Sequence, residues 1–182
     1  MLLPIVEYGS AVLREKSVPV TEIKPELAAL VENMLETMHA ANGVGLAAQQ
    51  IGRLERLCVI DIPDGCETES DAIFNLPIQM PLVMINPQIL GLSGEEICER
   101  EGCLSFPGVG GRVTRAEQVT CRYSDLQGRE KTITARGFLA RAIQHETDHL
   151  DAVLYIDRME PDVRRRQKKK LNALAHRNGD VL

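Results

Sequence analysis

Apolar residues recur at helical spacing in three stretches of the chain. After Pro25 they lie three and four residues apart, which predicts an amphipathic helix that ends near Asn42–Gly43. A second helix is expected over Arg136–Leu150, with Thr134 as its candidate cap. A third is expected to begin at Pro161 and to continue through a run of basic residues. The pattern therefore predicts an N-terminal amphipathic helix and a C-terminal basic helix.

Between the first two helices the pattern of apolar residues is that of β-strands. Strands are expected at Leu57–Ile62, Leu82–Ile85, Gln118–Tyr123 and Lys131–Thr134. Asp125–Gly128 has the composition of a turn that joins the last two in a hairpin. Residues 63–81 are rich in Pro, Asp and Gly, which predicts a surface insertion. Because the strands are grouped rather than alternating with helices, we expect an α+β fold with mostly antiparallel pairing.

The composition is that of a globular protein with a single core. The chain has 182 residues, of which 44% are hydrophobic and 26% are charged, and this excludes disordered and fibrous classes. No apolar run is long enough to cross a membrane, and the N-terminus lacks the features of a secretory signal. We therefore expect a cytoplasmic protein. A pI near 5.4 and the absence of Trp argue against DNA as a partner.

The five cysteines are irregularly spaced and odd in number, so they do not predict a disulfide framework. Small buried hydrophobes in a reducing compartment are the expectation for Cys58, Cys98 and Cys121. Cys103 is the exception, because it lies between a predicted strand and a Pro-Gly turn, where a thiolate can reach a metal ion.

His145–His149 has the sequence His-Glu-Thr-Asp-His on the second predicted helix. Four residues make just over one helical turn, so the two imidazoles project from one face and can bind one cation. Glu146 lies beside this face, where it can accept a proton from a water molecule without being a ligand. The alternative is a solvated helix face with two unrelated histidines, although these are half of the four histidines in the chain.

A third ligand is needed to complete a metal site. The downstream ligands of common metalloproteases are missing, because Tyr155 stands where one class requires His and the last helix has no suitably placed Glu. Cys103 together with the two histidines would leave a fourth position for water, which is the open arrangement of a catalytic site. Three other candidate ligands remain, namely His39, His176 and Glu160.

Gly43–Gln50 has the sequence GVGLAAQQ and follows the first predicted helix. It is not a dinucleotide-binding fingerprint, because that motif follows a strand and has a third glycine. Its small residues allow close approach of another chain, and Gln50 offers both an amide donor and an acceptor. By itself this segment would be interpreted as a helix end followed by a loop.

Three segments, taken in order, resemble the motifs of the peptide deformylase family. These motifs are GxGLAAxQ, EGCLS and HExDH, and here they correspond to Gly43–Gln50, Glu101–Ser105 and His145–His149. The similarity extends over about residues 4–160. It implies an α+β fold in which antiparallel sheets surround a central helix that bears HExDH. It also implies removal of the formyl group from N-formylmethionine at the N-terminus of nascent polypeptides, with release of formate.

The resemblance also implies a cofactor and a set of roles. The cofactor is one divalent metal ion, Fe(II) in most of the family with Zn, Ni or Co in its place, held by Cys103, His145 and His149. Glu146 would accept the proton of the attacking water and pass it to the departing amine. The Leu104 backbone N–H and the Gln50 amide would face the formyl oxygen as it gains charge. An endopeptidase and a non-catalytic protein with a structural metal remain the alternatives.

A methionine side chain is long, flexible and apolar, so its pocket needs small and apolar groups. The expected lining residues are Gly43, Val44, Gly45, Phe138 and Ala142. The resemblance further suggests that Glu101 and Arg115 pair beside the site. The chain departs from the family pattern at three positions, which are Phe106, Arg141 and Ala152.

The end of the chain differs in charge from the rest. Residues 164–182 have seven Lys and Arg against one Asp, a net charge of +6. The remaining residues have 14 basic and 25 acidic side chains, a net charge of −11. We expect a single catalytic domain over 1–160 and a basic helix or tail over 161–182. A solvated helix end is one interpretation, and docking on ribosomal RNA is the other, because related deformylases use a basic C-terminal helix in this way.

Overall fold

Residues 1–177 are described by a computed structural model. The helices are α1 (Pro25–Ala40), α2 (Glu69–Asn75), α3 (Gly137–Leu150) and α4 (Pro161–Arg177). The strands are β1 (Gly45–Ala47), β2 (Leu57–Ile60), β3 (Leu82–Leu92), β4 (Glu96–Gly102), β5 (Gly110–Ala116), β6 (Gln118–Ser124) and β7 (Glu130–Arg136). Short 3-10 helices occur at Ala11–Arg14, Ala48–Ile51 and Tyr155–Asp157.

The strands form two antiparallel sheets. Five strands pair in the order β1-β2-β3-β6-β7, and β4 and β5 pair with each other as a separate hairpin. Every pairing between named strands is antiparallel, so the predicted α+β class is confirmed. The hairpin between β6 and β7 has the predicted turn, in which the Asp125 side chain accepts hydrogen bonds from the backbone N–H groups of Gln127 and Arg129.

Helix α3 packs against the five-stranded sheet. Its apolar side chains, among them Leu139, Ile143 and Leu150, are fully buried and join Met84 and Val119 of the sheet in one core cluster. Burying one such side chain stabilises the fold by about 1.5–3 kcal/mol. The opposite side of α3 faces the β4–β5 hairpin through charged side chains, described below. The helix is therefore apolar towards one sheet and ionic towards the other.

Helix α1 has the predicted bounds, and the residues at each end explain where it begins and ends. Pro25 occupies the first helical turn, where its missing N–H costs no hydrogen bond. The helix ends because Asn42 adopts a left-handed conformation, with φ of 54°. Gly43 N–H then donates to the Met38 carbonyl, and Asn42 N–H donates to that of His39. These two bonds satisfy carbonyls that the helix end would otherwise leave unpaired.

The prediction that Thr134 caps the start of α3 was wrong. Thr134 lies within β7 and its hydroxyl is 3.0 Å from that of Thr120. The helix begins at Gly137, and the residue before it is held by Asn75, whose side chain accepts from Arg136 N–H and donates to Arg136 O, both at 3.0 Å. The insertion over residues 63–81 therefore contains a short helix, α2, that anchors the start of α3.

Helix α4 packs on the body of the protein. Its buried side chains Leu171 and Leu174 join a core cluster that includes Phe106 and Tyr155. Two polar contacts tie it to β5 and the loop before it. Lys170 donates to the Gly108 carbonyl in the loop, and the Gln167 side chain donates to that of Gly110, the first residue of β5. No helix within residues 1–177 is long and apolar enough to cross a membrane.

All five cysteines are free thiols, and they differ in burial. Cys58 and Cys121 are buried, as expected. Cys98 is exposed, so its assignment to the core was wrong. It lies on the β4–β5 hairpin, where most β4 side chains are exposed because the hairpin is not covered by a second layer on that side.

Candidate active site

Three potential metal ligands lie together between the hairpin and α3. The ligand atoms of Cys103, His145 and His149 are all within 4.8 Å of one another. Cys103 Sγ is 3.3 Å from His149 Nε2, and the two imidazole ring centroids are 5.1 Å apart. Helix α3 presents both histidines from one face because they are four residues apart, while the chain leaving β4 brings Cys103 to them.

Glu146 lies beside this cluster and is almost completely buried. Its Oε2 atom has no hydrogen-bond partner among the described residues. Burial raises the pKa of Glu146 to about 7, and the nearby charges of His145 and Arg115 lower it only in part. A carboxylate held this way can take up and release a proton near neutral pH.

Gly45 explains why the loop after α1 needs small residues. A Cβ atom added at Gly45 would overlap the carboxylate of Glu146. One added at Gly43 would meet the side chain of Leu104 at 2.6 Å. Both glycines therefore allow the segment after α1 to approach the site closely, as expected from the small residues of the motif.

Gln50 faces Cys103 from the opposite side of the site. Its Oε1 atom accepts a hydrogen bond from Ala47 N–H at 2.8 Å, which orients the amide. The Nε2 atom is consequently directed at Cys103 Sγ and Ser105 Oγ, each at 3.3 Å. Gln50 thus presents an N–H donor beside the thiol.

A cavity of about 520 Å³ opens over these groups. It is lined by all five residues predicted for the substrate pocket, and also by Gln50, Cys103, Leu104, His145 and Glu146. Such a volume lies within the range of small-molecule pockets. The three sequence motifs therefore meet around one cavity.

Comparison with known proteins identifies the family. Residues 2–165 match the family model described as polypeptide deformylase. The chain belongs to the peptide deformylase family. Peptide deformylases of Desulfitobacterium hafniense and Endomicrobium trichonymphae are each 45% identical to it, over 88% and 98% of this chain and 97% and 98% of their own. The crystal structure of peptide deformylase from Ehrlichia chaffeensis has a TM-score of 0.85 and 33% identity, and the match covers 98% of this chain and 99% of that one.

The enzyme is therefore a hydrolase that removes the N-formyl group from nascent peptides, as the sequence resemblance predicted. This assignment replaces the two alternatives of an endopeptidase and a non-catalytic metal protein. Peptide deformylases depend on a metal ion, and the Cys103, His145 and His149 cluster is a candidate site for it. One thiolate and two imidazoles form a donor set that suits several divalent transition metals.

Glu101 orients His145 from behind. Its Oε2 is 3.0 Å from His145 Nδ1, so Nε2 is the ring nitrogen left for a metal. Arg115 binds both oxygens of Glu101, at 2.5 and 2.9 Å, as the resemblance suggested. Burial by itself would raise the pKa of Glu101, but the hydrogen bonds from His145 and Arg115 outweigh it and hold the pKa far below its usual value.

Arg141 takes part in the same network. Its guanidinium donates to Glu101 Oε1 at 2.7 Å, to the Val113 carbonyl at 3.0 Å and to the Ile97 carbonyl at 2.7 Å. The charge is thereby satisfied within the protein although Arg141 lines the cavity. We conclude that the residue joins α3 to both strands of the β4–β5 hairpin.

Asp148 was not predicted to have a role, although it lies inside the HExDH motif. It accepts hydrogen bonds from Arg115 at 2.7 Å and from Arg158 at two distances of 2.5 Å. The network therefore continues along α3 to the residues after Tyr155. The motif position could have indicated Asp148, whereas no sequence pattern singled out Arg158.

Phe106 is an aromatic core residue next to the site. It is 1% exposed and lies between Tyr8, with ring centroids 4.9 Å apart, and Tyr155, at 5.1 Å. The stack ties the N-terminal segment to the loop that holds Cys103.

The remaining candidate ligands lie outside the cluster found in the described residues. His39 pairs with Asp61 at 2.8 Å on the surface. Glu160 and His176 are exposed, at the start and in the last turn of α4. All three of these candidates are thus accounted for, His39 by its pairing with Asp61 and the other two by exposure to solvent.

Proposed function

We propose that Cys103, His145 and His149 hold the metal ion on which deformylation depends. The observation that carries this proposal is the convergence of their ligand atoms within 4.8 Å, beneath the cavity. Burial lowers the pKa of His149 well below its usual value, which keeps its imidazole neutral. When bound, a divalent metal polarises a carbonyl and lowers the pKa of water.

We propose Fe(II) as the ion present in the cell, with Zn, Ni or Co as functional replacements. The support is chemical, because a thiolate with two imidazoles accommodates each of these ions. Iron and a thiolate are both oxidisable, so the Fe(II) form should lose activity in air faster than the Zn or Ni form.

Glu146 is the proton carrier of the proposed reaction. Glu146 lines the cavity and its Oε2 has no hydrogen-bond partner among the described residues, so the carboxylate is available to accept a proton from the attacking water. As the carbon–nitrogen bond breaks, the same carboxyl group donates that proton to the leaving amine. The products are formate and a peptide with a free methionine N-terminus.

Charge on the formyl oxygen is stabilised by two donors in the proposed mechanism. The Gln50 amide already points its Nε2 at Cys103 Sγ, and Leu104 follows Cys103 in the cavity wall. We assign the second donor to the Leu104 backbone N–H. Removing one donor of this kind typically costs about 2.7–4 kcal/mol of transition-state stabilisation.

The methionine side chain is proposed to occupy the apolar part of the cavity. Gly43 and Gly45 let the cavity wall pack closely against Leu104 and Glu146. Val44, Phe138 and Ala142 provide apolar surface. The buried guanidinium of Arg141 leaves this surface apolar because its donors are directed at the hairpin. The pocket therefore favours an unbranched thioether side chain over a charged one.

The choice of cysteine provides a direct test. Cys103→Ala should lose most of the bound metal, because the thiolate is the negatively charged ligand of the proposed set. Cys98→Ala removes an exposed thiol nearby and should retain the metal. Metal content per chain measured for both variants decides this, and equal retention would show that Cys103 is not a ligand.

We also propose that the enzyme acts in the cytoplasm and docks on the ribosome through α4. Its substrates are nascent chains, and the ribosome surface is rich in RNA phosphates. Arg166, Lys168 and Lys169 are exposed on α4 and have no ion pair within residues 1–177. We retain the division into a catalytic domain over 1–160 and a basic segment over 161–182, of which residues 178–182 lie outside the described residues.

A further inference from the structure

The β4–β5 hairpin places two arginines directly opposite each other. Arg100 on β4 pairs in register with Arg112 on β5. Opposite residues of an antiparallel pair project from the same face, and like charges at such positions are destabilising. Both arginines are exposed, and neither has a hydrogen bond or ion pair from its guanidinium within residues 1–177. Arg100 and Arg112 are therefore a pair of neighbouring positive charges without a partner among the described residues.

Arg100 also lines the catalytic cavity. The other charged side chains in the cavity wall, Glu101, Arg141, His145 and Glu146, are buried. The exposed lining residues define the mouth of the cavity, and apart from Arg100 they are Asn42, Gly102, Pro107 and Gly108. Arg100 is thus the charged group that a peptide meets as it leaves the site.

We propose that Arg100 makes the enzyme prefer formyl peptides that carry an acidic side chain shortly after the formylmethionine. This inference rests on the proposed placement of the formyl group at Cys103 and of methionine in the apolar pocket. A peptide held in this way must leave through the mouth. Its next side chains then pass Arg100, where a carboxylate pairs with the guanidinium and relieves the repulsion from Arg112.

The position of Arg100 favours a peptide over a nucleic acid as the occupant. Its guanidinium lies over Gly110, since a Cβ atom added there would be 3.2 Å from Arg100 Nη2. The guanidinium therefore lies over the paired residues Gly110 and Gly102, and Gly102 directly precedes Cys103. Phosphates docking on α4 would meet the exposed basic side chains of that helix instead.

The test measures kcat and KM for the metal-loaded enzyme on formyl-Met-Ala-Ala-Ala amides with Glu, Gln or Lys at position 2, 3 or 4. The terminal amide removes the competing C-terminal carboxylate. At one position at least, kcat/KM should be about two- to five-fold higher for Glu than for Gln, and lower again for Lys. The difference should lie in KM, because the contact forms equally in the bound and transition states, and it should diminish at high salt.

Substitution of Arg100 decides whether this residue is responsible. Arg100→Gln should abolish the preference, and Arg100→Glu should invert it in favour of Lys. Lys131→Gln removes an exposed charge on β7, away from the cavity, and should leave the preference unchanged. Hydrolysis of the uncharged Gln peptides tests the proposed function itself, independently of the preference for an acidic side chain.

Two results would overturn the proposal. The first is equal kcat/KM for Glu and Gln at all three positions while the Gln peptides are hydrolysed normally. The second is a preference that persists in Arg100→Gln. If Arg100→Gln kept the peptide preference but bound RNA less tightly than the unmodified enzyme, the partner of Arg100 would be a nucleic acid instead.

Discussion

Gly45 is a residue at which adding a single methyl group should impair catalysis. Gly45→Ala would place a Cβ atom on the Glu146 carboxylate, which must then move. A displacement of about 1 Å at the reacting groups can cost roughly a hundred-fold in rate, and we expect a loss of that order in kcat/KM. Steady-state kinetics on a formyl-Met peptide measure it.

Gly91→Ala is the matched control, because no atom lies within 4 Å of the added methyl group. It should keep full activity. If Gly45→Ala were as active as Gly91→Ala, the close packing of β1 against Glu146 would have no part in catalysis.

Individual site residues were predictable where chemistry and spacing coincide. The two histidines four residues apart indicated one helix face, and the EGCLS motif indicated which cysteine joins them. Cys98 shows the limit, because burial depends on what covers β4, and nothing within the strand itself encodes that. The same holds for Arg141, whose carbonyl partners on β4 and β5 are distant in sequence.

The end of α3 is strained at Ala152. This residue adopts a left-handed conformation with φ of 61°, which glycine adopts more readily than alanine. Val153 N–H donates to the Asp148 carbonyl and Ala152 N–H to that of His149, so the turn is tied to the last carbonyls of α3. A non-glycine residue pays about 1–2 kcal/mol for this conformation.

Ala152→Gly should therefore raise the free energy of unfolding by about 0.5–1 kcal/mol, after allowing for the greater freedom of Gly in the unfolded chain. Urea denaturation of the metal-loaded enzyme measures the change. Ala173→Gly, at an exposed position inside α4, should instead lower stability by about 1 kcal/mol. Destabilisation by both substitutions would contradict strain at Ala152.

Elements with a buried face were predictable, and exposed ones were not. Helices α1 and α4 begin at the prolines that predicted them, and β6 and β7 flank the expected turn. Strands β4 and β5 form a two-stranded sheet in which β4 has little apolar alternation, so no strand bounds were predicted there. Helix α2 has seven residues, too few for a periodic pattern, and its role depends on the contact of Asn75 with Arg136.

At the scale of the whole molecule, the two sides of α4 differ, because its apolar side chains pack on the protein and its basic side chains are exposed. Its apolar side belongs to the core, so removing the helix would expose Leu171 and Leu174 as well as delete charge. The double variant Arg166→Glu/Lys169→Glu changes only exposed side chains. It should weaken co-sedimentation with ribosomes at low salt while hydrolysis of a short formyl peptide continues unchanged.

Lys16→Glu/Lys131→Glu is the control, since it makes the same change in net charge at exposed positions outside α4. It should sediment with ribosomes as the unmodified enzyme does. Equal sedimentation of both double variants would mean that α4 is a solvated helix without a docking role.

The most direct test of the mechanism is formate release by Glu146→Gln, measured together with its metal content. The substitution keeps the shape of the side chain and leaves the three proposed ligands in place. We predict one metal ion per chain and a loss of about 10²–10⁴-fold in kcat on formyl-Met-Ala-Ser, whereas Glu160→Gln, an exposed acid outside the site, should retain both metal and activity. Undiminished formate release by metal-loaded Glu146→Gln would contradict the account.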